Sequence, residues 1–295
     1  VWLTNPGPII CINPREIHIK DPRYYDEVYS SGSRRQEKDP YLTPAFLSPH
    51  SVVSTIDHDH HRFRKNLLKN FFSRRSLERL GPMIQTSTEL LCHKLRRANA
   101  KNQPVELESL FADLTADIIS HCAFGQSYDY LRNDADVIND IQHGATVFAI
   151  GFHVNRFFPI FRRLMMSVPP QLLKAILPQY AESLARIDTI HENARLSLER
   201  GASKNTDHDT IFDALTDASV PSEERTMLRL MDESWVVLAA GTTTTTRAPS
   251  MASFHIFSQD RILRRLREEL QPIMPRLDSQ PTFAELERLP YLVSC

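Results

Sequence analysis

The chain has 295 residues, 41% of them hydrophobic and 24% charged, which supplies a sizeable core and is too apolar for a disordered chain. Thirty-five Lys and Arg against 36 Asp and Glu leave a formal charge of -1, so no global field favours nucleic acid or an acidic surface. Eight glycines occur, the nearest two seven residues apart, which excludes GxGxxG, the GxxxxGK phosphate loop and the GxSxG nucleophile elbow.

In chain order, the apolar runs Pro8 to Ile12 and Glu16 to Ile19, split by Asn13-Pro14, predict a β-hairpin or two short strands. Helical periodicity follows over about 59–72, 76–99, 106–123, 134–150, 170–200, 208–217, 223–247 and 258–271. Prolines mostly fall near the ends of these stretches. The polar segments Ser30 to Pro49, Ser203 to Asp209 and Gln271 to Pro281 read as loops, none of them long enough for a domain linker. One mostly α domain is expected. Four cysteines, Cys11, Cys92, Cys122 and Cys295, lack CxxC spacing and are too sparse for a disulfide framework, so a reducing compartment is the default. No apolar run approaches the ~18 residues of a membrane span, and an upstream targeting or anchoring segment is not contained in the sequence.

The densest ionisable cluster is Asp57-His58-Asp59-His60-His61-Arg62-Phe63-Arg64-Lys65. At about 100° per residue, Phe63, Leu67, Leu68, Phe71 and Phe72 form one half of a helix, with Arg64 inside that arc and His61 and Lys65 at its edge. Cationic heads beside a buried face call for an anion, or else their long stems snorkel to water; both readings stay open. Zinc held by Asp57, His58, His60 and His61 is disfavoured, because neighbouring helical residues diverge and no HExxH occurs.

Ser234 to Gly241 followed by Thr242 to Thr246 has β-favouring composition but continues the helical spacing of Leu228, Met231, Trp235, Leu238 and Ala239. Five threonines beside a glycine weaken a helix, so either a bend facing a polar ligand or a plain polar helix face is expected.

These segments, in this order and over essentially the whole chain, resemble a fungal cytochrome P450. Gly7 to Pro14 with Glu16 to Ile19 is similar to the family's opening strands, with Cys11 where an Arg is usual. His61-xxx-Lys65 running into Phe71-Phe72-Ser73 resembles the helix whose basic residues meet the haem propionates. Phe111 to Gly125, ending ISHCAFG, and Ala240-Gly241-Thr242-Thr243-Thr244-Thr245 resemble later segments, the second being the oxygen-activating bend of the long central helix. Leu289-Pro290-Tyr291-Leu292 resembles the lead-in to the helix bearing ExxR.

The resemblance implies a mainly α fold with a small N-terminal β-region, spanning 1–295 as a single incomplete cytochrome P450 domain. It implies haem as cofactor, with His61, Lys65 and Arg64 on the propionates, Thr244 hydrogen-bonding the oxygen being activated, and Ala240 and Gly241 leaving room for it. Ala145 to Met166, with Phe148, Phe152, Phe157, Phe158 and Phe161, is expected to roof the substrate, or else those rings pack the core. A lipophilic small molecule of fungal secondary metabolism, a cytochrome P450 reductase and the cytosolic face of the endoplasmic reticulum follow for a complete member. For this chain by itself, a soluble cytoplasmic location or an unknown one is left open.

Departures are equally specific. The sequence reaches Cys295 before any ExxR or FxxGxRxCxG, so a chain cut short of its axial cysteine is expected, non-catalytic by itself or surviving only as a binding partner. Thr243 stands where the family usually has an acid, and Pro249 falls four residues after Thr245, where it would remove a backbone donor.

Overall fold

The computed structural model describes residues 7–29, 34–69, 71–133, 150–158, 181–200, 210–276 and 278–294, with a few isolated positions between 160 and 172. The hairpin is present: β1 (Ile9–Asn13) pairs antiparallel with β2 (Glu16–Ile19), Ile9 opposite Ile19 and Cys11 opposite Ile17. Among the described residues the longer helices are α1 (His58–Lys69), α2 (Arg74–Ala100), α3 (Leu107–Phe124), α4 (Ala181–Arg200), α5 (Ile211–Thr216), α6 (Met227–Ser258) and α7 (Asp260–Leu270). Shorter turns occur at Thr43–Phe46, Tyr130–Asn133, Phe283–Leu286 and Pro290–Ser294. Most of the helix expected over 134–150, and 173–180 from the next one, lie outside the described residues.

Local chemistry sets the helix ends. Ser73 caps α2 and Thr226 caps α6, each hydroxyl accepting the backbone N–H three residues on. Thr210 and Asp213 form a capping box at α5. Gly125 ends α3 in the left-handed region (φ 74), where its N–H donates to the His121 carbonyl and where L side chains are strained.

The core lies where α1, α3, α4, α5 and α6 converge. Leu68 and Phe71 from the end of α1 meet Cys122, Ala123 and Phe124 of α3, Ile190 and Ala194 of α4, Phe212 and Leu215 of α5, and Leu230 of α6. Phe124 and Phe212 pack with ring centroids 4.8 Å apart. The most extensive helix pair is α3 against α6. A Cβ at Gly241 would stand 2.7 Å from Ile119 Cγ1, so the absence of a side chain is what lets these helices approach. Five residues further along, the Thr246 and Thr115 hydroxyls form a buried hydrogen bond (2.8 Å).

One expectation is corrected. Helical spacing was read over about 223–247, yet α6 runs unbroken for 32 residues, through Pro249, to Ser258. Proline removes one donor and disfavours the preceding turn, but packing on α3 and α4 outweighs that local preference.

Candidate functional site

The site is built on α1 and α6. Asp57 opens α1 by accepting the His60 backbone N–H (2.8 Å), which aims successive side chains to three sides. Arg64 and Leu68 point inward and are buried, His61 lies half-buried at the flank, and Arg62 and Lys65 are exposed. Arg64 is engaged within the chain. Its guanidinium donates to both carboxylate oxygens of Glu224 (2.9 and 3.1 Å) and to the Thr55 hydroxyl (2.9 Å). Arg229, 1% exposed, also pairs with Glu224, and His60 lies against the same carboxylate.

His61 is different. Burial, then Lys38, Lys65 and His58, all hold its imidazole below the ordinary histidine range. Among the described residues no carboxylate pairs with His61 or Lys65. Lys38 donates to the Val52 and Val53 carbonyls (both 2.8 Å) and also feels the Glu233 carboxylate. His61 and Lys65 thus lie on a basic face suited to an anion.

On α6 the threonine run divides by helical phase. Thr242 and Thr246 are buried towards α3, while Ala240, Thr244 and Thr245 are exposed on the other side and Thr243 lies between. The Thr244 hydroxyl donates to the Ala240 carbonyl (2.7 Å), so these two residues form one surface. Gly241 lies where an added Cβ would meet Ile119 of α3.

The expected substrate roof is only partly described. Phe152 packs edge-to-face on Phe46 (5.1 Å), Phe157 and Phe158 are exposed, and Phe148 and Phe161 lie outside the described residues.

The donor set allows a test of haem. Lys38, His61 and Lys65 fit the propionate edge, and the Ala240–Thr244 surface offers small and hydroxyl-bearing groups. No described cysteine fits the axial position. Cys11 is exposed in the hairpin, Cys92 is half-buried in α2, and Cys122 sits in the core with burial pushing its thiol up to about 11, far from the thiolate such a ligand requires. Cys295 is outside the described residues.

Sequence reading missed the buried charges Glu224, Arg229 and Glu233 and the half-buried Asp232. Their available signal was the i,i+4 pair Arg229 and Glu233 on the stripe that also carries Leu230 and Ser234, all buried.

Comparison with known proteins bears on the family and the fold. The cytochrome P450 family model matches residues 12–295. A cytochrome P450 monooxygenase of Stachybotrys chartarum, SAT11, is 35% identical over 288 residues, covering 97% of this chain and 54% of that protein. Conidiogenone synthase of Penicillium rubens is 37% identical over 286 residues, covering 97% and 57% respectively. The crystallised haem domain of a cytochrome P450DA mutant superposes with a TM-score of 0.66 at 18% identity, over 92% of this chain and 57% of that one. The chain thus spans about half the length of the curated relatives it matches. No helix among the described residues is long and apolar enough to cross a membrane. By sequence and by fold, the chain belongs to the cytochrome P450 family.

Proposed function

We propose that these residues, as one domain, supply the propionate edge and the oxygen-facing helix of a haem monooxygenase that oxygenates a lipophilic secondary metabolite. Electrons would come from a cytochrome P450 reductase at the cytosolic face of the endoplasmic reticulum. The observation that carries the reading is the half-buried His61 beside Lys38 and Lys65, with no carboxylate paired to His61 or Lys65 among the described residues.

Haem held by a thiolate supplies the oxygen-activating chemistry of the family. The parts this chain contributes are electrostatic and steric. His61 and Lys65 oppose the charge of the propionates, with Lys38 behind them, while Arg64 only neutralises Glu224. Ala240 keeps the α6 surface shallow, and the Thr244 hydroxyl, now donating to Ala240, holds a proton at its edge. Gly241 supports the site from behind by seating α6 on Ile119. Thr243 carries no ionisable acid, so a carboxylate does not assist that proton.

The same reading makes the 295 residues non-catalytic alone, since the axial thiolate would have to come from outside the three described cysteines. Haemin titration of the purified chain tests both parts. Binding is expected in the wild type, and His61→Glu with Lys65→Glu should weaken it by about tenfold or more. After reduction under carbon monoxide, the complex should lack the band of thiolate-ligated haem. That band would overturn the non-catalytic part; failure of the wild type to bind haemin would overturn the haem reading and leave a protein acting at most as a binding partner.

A further inference from the structure

The segment from Ser48 to Thr55 leads directly into α1, and it is unusual for a loop: Ser48, Ser51, Ser54 and Thr55 are all buried. Loops normally lie on the surface, because their backbone polar groups need partners. Here ionised side chains from three elements supply them. Asp232 accepts the His50 N–H (2.7 Å) and Glu233 accepts the Val52 N–H (3.0 Å), both from the second turn of α6. Lys38 holds the Val52 and Val53 carbonyls from a preceding strand-like segment, and Arg64 of α1 holds the Thr55 hydroxyl. Placing two carboxylates in this setting is unfavourable, and burial holds both Asp232 and Glu233 above the ordinary acid range. Neutral side chains would satisfy two N–H groups at less cost, so retention of charged acceptors calls for a further role.

We propose that Asp232 and Glu233 are positioning residues of the porphyrin site. By pinning the 48–55 loop to α6 they fix Lys38, His61 and Lys65 relative to the Ala240–Thr244 surface, which begins about 10 Å further along the same helix. The inference rests on the haem reading above. Neither acid touches the cofactor; they act through the loop whose amides they hold.

Three single variants in the full chain test it: Asp232→Ala, Glu233→Leu and Glu233→Gln, the last keeping an acceptor oxygen while losing the charge. Two quantities are read, amide hydrogen exchange of the peptide spanning 48–55 and affinity for iron-free protoporphyrin IX, which needs no axial thiolate. Asp232→Ala and Glu233→Leu should each speed exchange in that peptide and weaken porphyrin binding by about tenfold, leaving exchange of α3 unchanged. Glu233→Gln should restore both readouts to within about threefold of wild type. Faster exchange across the whole chain in Asp232→Ala, or porphyrin affinity unchanged while the loop is released, would overturn the proposal and leave a purely structural role. A wild-type chain that binds no protoporphyrin would instead overturn the haem reading itself, and the positioning role with it.

Discussion

Gly241 shows how one residue changes meaning when its neighbours are known. In the sequence it belongs to a motif that suggests space for a ligand; in the fold, its missing side chain is filled by Ile119 of α3. A methyl group 2.7 Å from Ile119 Cγ1 forces either the side chain or the helix to move. Gly241→Ala should therefore destabilise the chain by about 1–3 kcal/mol in urea denaturation, despite the better helix propensity of alanine. Adding Ile119→Ala should recover part of that loss. Arg64 makes the same point through charge. Its place on the apolar arc of α1 suggested an external anion, yet Glu224, 160 residues away, already meets it.

At the level of single elements, α6 is the informative case. Its apolar spacing from Leu228 to Ala239 was legible, but its length was not, since the spacing was read only to about 247 and the helix continues through Pro249 to Ser258. The helix passes through the proline with the Thr245 carbonyl deprived of its i+4 donor. Pro249→Ala restores that donor and removes the ring clash, so a gain of about 1–3 kcal/mol is expected in thermal or urea unfolding. An unchanged midpoint would mean that the surrounding contacts already absorb the defect. The hairpin and the capped ends of α2 and α5 agree with local reading, since Asn13-Pro14, Ser73 and Thr210 act within a few residues of themselves.

Across the whole molecule, a net charge of -1 conceals a buried, nearly balanced group of charges around the start of α6. Burial and neighbouring Arg64 pull Arg229 down to about 10, while burial raises Asp232 and Glu233 from ordinary values of 3.8 and 4.5. An acid with a raised folded-state pKa binds its proton more tightly when folded, so its contribution to stability is largest below the ordinary value and falls as pH rises through the raised one. Glu233→Gln removes that titration and keeps an acceptor for Val52. Its stability relative to wild type should rise as pH climbs from the ordinary glutamate value through the raised one, as urea unfolding at a series of pH values would read. Large apolar side chains on α6, among them Met251, Phe254 and Phe257, are exposed beside a groove that α3 helps to line.

The residues alone determined what depends on near neighbours: a helical chain with an opening hairpin, most helix boundaries, the basic α1 and the threonine-rich α6, and through the order of those motifs the family. Tertiary structure decided which of the marked residues are already engaged within the chain. His61, Lys65, Ala240 and Thr244 are left available, whereas Arg64 and Gly241 are taken by Glu224 and Ile119. That choice could not be local, because burial and ion pairing depend on which surface arrives from elsewhere in the chain, and helical phase fixes only the direction in which a side chain leaves its own backbone.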